Sequence, residues 1–471
     1  MQELALFYLN FVYNYGVKAK VFFIVIILIF LIIFTGLYIL RGTLTIFSTP
    51  SGAKVYINED FRGETPLEIK LHSGKYEIKI LKDGFEDYTT SVNIRVNKRL
   101  SISPYLEKLQ YLLALGENGF YKVNSDGRVI TQLGENFDGN VGCVSFSPDG
   151  KKILYILYSS DYKESSICIM DTDGKNRKIL INDIASNAPP IFFHNSKKIL
   201  FASSGSKEGF LSLWSINIDG TEKRKITEIE RHEEIKCAIS PDDSKILFYG
   251  FDMYQNQGPT ALWIVDSTGK NLMNITKVIG QGEVTAASFS PDENKILFAF
   301  SGNLLGEKWT GLWVADLDGK NIKKIGKGIT NEYGFSSLKF SSDGKRVFFI
   351  SYGCLWSAYI DGAGEEIVTA AVSDFYFFQN EEKILLLTSQ FHFDLINTDG
   401  TGEKEIRESL GNQVYLDYIY IFGSPISSDG RKVLCSISSN SEFYLYILDL
   451  DSGKLIKLNN FGICGWFPDN K

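Results

Sequence analysis

The chain repeats itself, and its final residues read as the first part of a repeat. "SFSPDGKKILY" (from Ser145), "AISPDDSKILF" (from Ala238) and "SFSPDENKILF" (from Ser288) share an apolar run, a Pro-Asp turn, a lysine and a second apolar run. Anchors of this kind recur at Ile153, Ile199, Ile246, Ile296, Val347, Ile384 and Val433, with steps of 46, 47, 50, 51, 37 and 49 residues. Each is followed by an apolar strand, a turn such as Asp173-Gly174 or Asp318-Gly319, and a short basic-apolar strand. Four antiparallel strands in each unit of this length describe a β-propeller blade. An eighth unit is split. Tyr111 to Gly134 supplies strands two to four, and "GICGWFPDNK" at the end supplies only the leading strand and its turn. The expectation is an all-β, eight-bladed ring over 109–471, closed by the C-terminal strand. Seven blades is the alternative, because the step of 37 marks an irregular unit.

These units resemble the WD-repeat-like blades of TolB-type propellers. The motif Ser-Pro-Asp-Gly falls on Ser147-Pro148-Asp149-Gly150, with Ser240-Pro241-Asp242 and Ser290-Pro291-Asp292 close to it. Ser342-Asp343-Gly344 and Ser428-Asp429-Gly430 are weaker matches. "LWSINIDG", "LWIVDSTG" and "LWVADLDG" match the third strand, while "HNSKKIL" and "QNEEKIL" depart from the pattern. The resemblance implies the fold and leaves function open, since such propellers serve as peptidase subdomains, lyases and binders alike.

The N-terminus sets the expected location. Val21 to Leu40 carries no charge, and about 20 apolar residues cover a hydrocarbon core of ~30 Å. Residues 21–40 therefore read as an uncleaved signal anchor in the lipid bilayer, flanked by Lys18 and Lys20 on one side and Arg41 on the other. That asymmetry favours a cytoplasmic or interfacial segment at 1–20, with everything after Arg41 outside a single-pass cell membrane protein.

After Gly42 the pattern alternates with period two, at Thr43–Phe47, Lys54–Ile57, Leu67–Leu71, Tyr76–Leu81 and Thr89–Ile94, between Gly and Pro turns. Short strands of this kind predict a small antiparallel β-sandwich over 42–106. "TPSGAKVYIN", "GETPLEI", "LHSGKYEIKI" and "KDGFEDY" resemble the PEGA domain, whose turns fall on Pro50, Gly52, Ala53, Gly63, Thr65 and Pro66. Its Gly-x-Tyr and Gly-Phe-x-x-Tyr positions fall on Gly74, Tyr76, Gly84, Phe85 and Tyr88, and Ser51 stands where the naming motif has Glu. The resemblance implies a non-catalytic module of envelope proteins.

Chemistry is sparse. A net charge of -7 with mixed signs gives no basic field for nucleic acid. The six cysteines form no Cys-x-x-Cys pair and read as buried thiols. His72, His194, His232 and His392 lie in different units without metal-ligand spacing. No Gly-x-Ser-x-Gly, P-loop or dinucleotide fingerprint is present. Asp-x-Asp-Gly at Asp171/Asp173, Asp316/Asp318 and Asp449/Asp451 could open a Ca²⁺ loop, but the distant Glu is absent and the residues read as hairpin turns. No catalytic, metal or cofactor residue is therefore assigned.

Pro-Asp and Asp-Gly turns share one face of such a ring, and the strand two-to-three loops share the other. The longer loops are 158–166, 203–209, 250–260 and 301–310. Tyr158, Tyr162, Tyr254, Trp309 and Tyr333 are the candidate contacts, since aromatics on varied loops are typical anchors. The reading is a non-enzymatic envelope protein that binds a protein or a glycan. The alternative is a propeller enzyme acting on a glycan or peptide at its central funnel.

Overall fold

The structure is a computed structural model that describes residues 21–22, 24–30, 41–182, 184, 189–204, 210–230, 234–251, 261–279, 281–304, 307–308, 310–325, 336–378, 381–389, 392–406, 425–439, 442–458, 461 and 464–467. Residues 21, 22 and 24–30 are helical and exposed; the rest of the expected anchor lies outside the described residues. Among the described residues no helix is long and apolar enough to cross a membrane. The chain divides into two compact units, Met1–Leu109 and Gln110–Lys471.

The first unit packs two sheets around Leu44, Ile46, Val55, Ile57, Ile78 and Ile80, all nearly solvent-free. One sheet holds Arg41–Ile46 between Leu67–His72 and Arg99–Ile102; the other orders Asp60–Glu64, Lys54–Ile57, Gly74–Leu81 and Tyr88–Ile94. Arg41–Ile46 pairs in parallel with Arg99–Ile102, so the sandwich is not wholly antiparallel. Two strands escape the alternating pattern. Asp60–Glu64 is a polar edge with almost no burial, and Arg99–Ile102 is a short exposed edge, so neither carries an inward apolar stripe.

The second unit carries eight sheets among the described residues. We number them in chain order. The first joins Tyr111–Gly116, Gly119–Asn124 and Val129–Leu133 to Cys464–Trp466. The second to eighth span 140–182, 191–230, 234–274, 281–325, 336–370, 372–405 and 432–458. In the first sheet Cys464 pairs with Ala114, Gly465 with Leu113 and Trp466 with Leu112. The leading strand of the split unit thus comes from the far end of the chain.

Eight apolar clusters lie between these sheets, each shared by two of them. In Lys152–Tyr158, Ile153 and Tyr155 pack toward the first sheet, and Leu154 and Ile156 toward the third. A strand buried on both faces reads as a continuous apolar run, which is why the anchors look like "KILYILY". The series continues through each neighbouring pair, and the eighth sheet's Leu434 and Ile447 pack with Leu112, Ala114 and Trp466 of the first. The unit is a closed β-propeller.

The 37-residue step has a plain cause. The sixth sheet turns from its second to its third strand through Tyr352-Gly353 alone, and Ala371 alone links it to the seventh. Both sheets keep four strands.

Candidate functional site

One face is made of repeated, self-satisfied turns. Ser147 Oγ donates to Asp149 Oδ1 at 2.6 Å and accepts from Lys152 N at 2.9 Å. Ser240/Asp242/Lys245, Ser290/Asp292/Lys295, Ser341/Asp343/Arg346 and Ser427/Asp429/Lys432 repeat it. The hydroxyl in the last two is therefore Ser341 and Ser427, one residue before the weaker sequence match. Donation from these serines, above all, holds Asp149, Asp242, Asp292 and Asp343 below the usual carboxylate range.

The Asp-x-Asp-Gly pairs are equally occupied. Asp171 accepts from the Lys152 ammonium and from Asn176 Nδ2, Asp316 from Lys295 and Asn321, and Asp449 from Ser452 N and Oγ; Asp266, in a turn without the second Asp, pairs with Lys245 and Asn271. Asp173 and Asp318 cap their own hairpins through Lys175 N and Lys320 N. Groups already bonded this way are turn scaffolding. Among the described residues no cluster of His, Cys, Asp or Glu is arranged to hold a metal ion.

Links between sheets on this face come from residues that the motif hides. At the left-handed position of the turn stand Ser196, Asp243, Glu293 and Glu381, where three other units have Gly150, Gly344 and Gly430; three of these four side chains reach a neighbouring sheet. Asp243 accepts from His194 N at 2.7 Å and Asn195 N at 2.9 Å, Ser196 Oγ from Asp149 N, and Glu381 from Ser342 N. Each of these three side chains holds the preceding sheet's turn.

The inner wall is polar but tied. The first strands of the fourth to seventh sheets lie side by side. Four first strands carry a one-residue bulge, near Cys143, Thr285, Ser337 and Ser373. Bulges re-aim side chains, and here they gather Ser337, Lys339, Asp374 and Tyr376. Asp374 accepts from Ser337 Oγ, Phe375 N (2.8 Å) and Tyr376 OH (2.7 Å). Lys339 Nζ donates to Phe375 O and lies 4.2 Å from the Tyr376 ring centroid. Burial lowers the Lys339 pKa, opposed by Asp374, and burial and then Asp374 push Tyr376 up. Two of these donors meet Oδ1 and one meets Oδ2.

A buried carboxylate, Asp394, also lies in the seventh sheet. Asp394 takes the strand position that holds Trp214, Trp263, Trp313 and Trp356 in other sheets. His392 Nε2 is 3.6 Å from Asp394 Oδ2 and 3.7 Å from Glu405 Oε1, and His392 Nδ1 is 3.1 Å from Thr388 Oγ1. Thr388 is buried, and the series ends at the exposed Glu405.

The opposite face carries the strand two-to-three loops, including the fully described 158–166 loop and 352–353 hairpin. Of the five candidate contacts, Tyr254, Trp309 and Tyr333 lie outside the described residues. Tyr158 and Tyr162 come together, with ring centroids 5.9 Å apart and planes at 39°. The Tyr158 ring packs over Gly142 of the innermost strand, and burial raises its hydroxyl pKa. Tyr162 is 66% exposed. A third tyrosine on this face, Tyr352, is 60% exposed at the hairpin of the sixth sheet. Its two-residue loop gives no length signal; the available sign is a bulky residue before Gly353, where Asn or Asp is usual.

Comparison with known proteins fits this architecture. The PEGA domain family matches residues 41–110. The alpha subunit of hydrazine synthase from Kuenenia stuttgartiensis is 35% identical over 66 residues, covering 14% of this chain and 8% of that protein. Dipeptidyl-peptidase 5 of Porphyromonas endodontalis is 27% identical over 117 residues, 24% of this chain and 16% of that one. The chain thus spans less than a fifth of the length of either relative. Among solved structures, dihydro-heme d1 dehydrogenase NirN matches with a TM-score of 0.50 at 14% identity, over 76% of this chain and 74% of that one. TolB from Acinetobacter baumannii matches at 14% identity with a TM-score of 0.35, over 71% of this chain and 76% of that one. Residues 41–110 match the PEGA domain family, and the chain after them has a β-propeller fold.

Proposed function

We propose that this PEGA domain and propeller form a non-enzymatic, membrane-anchored binding protein of the cell envelope. Residues 21–40 act as its anchor, and an eight-bladed ring is carried outside the membrane. The strand two-to-three face of that ring is the docking surface for a protein or glycan. The observation that carries the reading is the contrast between faces. Carboxylates on the turn face and inner wall are consumed by their own neighbours, while Tyr158 and Tyr162 stand as a partly exposed aromatic pair on the other. Exposed aromatics on rigid scaffolds are typical binding anchors.

The test is a photo-reactive amino acid placed at position 162 and, separately, at position 173 on the turn face, in cells. An adduct from 162 and none from 173 is expected. Equal labelling, or labelling from 173 alone, would reject the docking face. Adducts made only with cytoplasmic proteins would reject the topology.

The second reading is an enzyme acting on a glycan or peptide in the funnel, favoured by the half-buried Lys339 beside Asp374. It requires that Lys339→Met abolish a turnover that Tyr162→Ala leaves intact.

A further inference from the structure

We propose that the end of the first unit at which its first strand begins docks on anionic lipid headgroups of the membrane that holds residues 21–40, through Lys70, Lys75, Arg95, Lys98 and Arg99. This rests on the anchor reading above and adds a second contact with the same bilayer.

The topology gathers these cations. The strand Arg41–Ile46 starts one residue after Leu40, the last residue of the proposed anchor. His72 of the neighbouring strand stands opposite Arg41, so the turn at Ser73-Gly74 lies at that same end. Gly74 pairs with Ile94 and Lys75 with Asn93, which brings the connection 95–98 there too. That connection is fastened to the first strand: Asn97 N donates to Arg41 O at 2.9 Å, and Thr43 N donates to Lys98 O at 2.9 Å. Stretches 41–45, 69–76 and 93–99, far apart in sequence, thus form one end of the sandwich.

Its charge is of one sign. Lys70, Lys75, Arg95, Lys98 and Arg99 are exposed, and none of them forms an ion pair among the described residues. The three stretches contain no Asp or Glu. The first acids met along these strands are Glu68 and Glu77, four residues from His72 and three from Gly74. Cations farther along the unit are engaged instead. Arg62 pairs with Asp60 and Lys79 with Asp87, each at 2.9 Å, and Lys82 Nζ donates to Ser51 O at 2.8 Å. Unpaired like charges gathered at one end repel one another, and a surface of opposite charge offsets that repulsion.

Connectivity chooses the occupant. A chain reaches at most ~3.6 Å per residue, and Arg41 is the first residue past the anchor. This end therefore stands within a Debye length, about 10 Å at 0.1 M salt, of the headgroups. An acidic protein would have to enter that gap, whereas the lipid is already there. Each basic residue so placed beside an anionic leaflet strengthens the contact about fivefold.

The experiment places the full-length protein in lipid nanodiscs of phosphatidylcholine alone and of phosphatidylcholine with phosphatidylglycerol. Lysines are acylated with an uncharged amine reagent, and each rate is read by mass spectrometry. In the anionic discs Lys70, Lys75 and Lys98 should react at least about threefold more slowly than in neutral discs, and the difference should vanish at about 0.5 M salt. Lys54 pairs with Leu81, seven residues along the strand from Gly74, or about 23 Å, and should react alike in both. Replacing Arg95, Lys98 and Arg99 together by Gln should return Lys70 and Lys75 to their neutral-disc rates without lowering Tm. If the three lysines react alike in the two kinds of disc, or if salt leaves their protection unchanged, the proposal falls. Entry into neutral discs tests the anchor by itself. A protein that enters both discs and shows no protection loses the docking contact and keeps its anchor. A protein that stays out of neutral discs loses the anchor, and the basic end then stands only if anionic vesicles bind the parent in low salt and not the triple variant.

Discussion

Replacing Trp466 with alanine isolates what the closing strand contributes. The side chain is 8% exposed and belongs to the cluster between the eighth and first sheets. Its indole Nε1 donates to the Pro425 carbonyl at 2.7 Å. Truncating a buried Trp to Ala costs about 3–5 kcal/mol, and a buried carbonyl left without its donor adds about 1 kcal/mol. The expected loss is about 5 kcal/mol, or about 10 °C in Tm at ~2 °C per kcal/mol for a domain of this size. Trp466→Phe keeps most of the packing and loses the hydrogen bond, so about 1–2 kcal/mol is expected. Urea unfolding followed by circular dichroism gives the energies. Hydrogen exchange at 111–116 and 442–449 locates the effect. Closure requires amides in both sheets to exchange faster together. A loss below about 1 kcal/mol, or faster exchange confined to 464–467, would refute the reasoning.

Gly174→Ala should destabilise by about 2–4 kcal/mol in the same assay, since at φ 85° its Cβ would meet Gly134 N at 2.4 Å and Leu133 C at 2.7 Å. Gly220→Ala, at φ 90° with open space around it, should cost only about 1 kcal/mol; equal losses would contradict the close approach of the first and second sheets. Ser240→Ala removes the acceptor for Lys245 N and the donor to Asp242, for about 1–2 kcal/mol; no change in urea midpoint would mean the turn does not depend on its hydroxyl. Burial raises the Asp394 pKa, opposed by His392 and reinforced by Glu403 and Glu405. A carboxyl whose folded pKa lies above its unfolded value gives stability that is complete below the unfolded pKa and is lost as pH rises through the folded one. Asp394→Asn should therefore be the more stable protein at neutral pH and should flatten that part of the Tm-against-pH curve; parallel curves for the two proteins would count against it.

Much of the propeller was legible because its signal is chemical as well as periodic. A serine, an aspartate and a lysine spaced two and five residues on are what one turn needs to satisfy its own donors, as Ser147, Asp149 and Lys152 do. The split unit was legible for the same reason, since a leading strand without followers must pair elsewhere, and Trp466 finds Leu112. Less of the candidate site could be read. Tyr158 and Tyr162 stood out because their loop is long, whereas Tyr352 sits in a two-residue hairpin that loop length does not flag. The reach of Asp243 and Glu381 to a neighbouring turn depends on backbone handedness, which residue type alone does not encode. The burial of Asp394 against His392 required the fold.

Pairing the two far ends of one unit also sets an order of events during synthesis. The edge of Tyr111–Gly116 that receives Cys464–Trp466 is made early, and its partner is 348 residues later (464 − 116). At ~5–20 residues per second, the nascent chain carries that open edge for about 20–70 s. Leu112 and Ala114, solvent-free in the finished ring, have no cover from the closing strand during that interval. An unpaired strand flanked by apolar side chains is a template for other chains. The interval in which this protein is most exposed to misassembly is thus fixed by the rate of translation rather than by the folding of any one sheet.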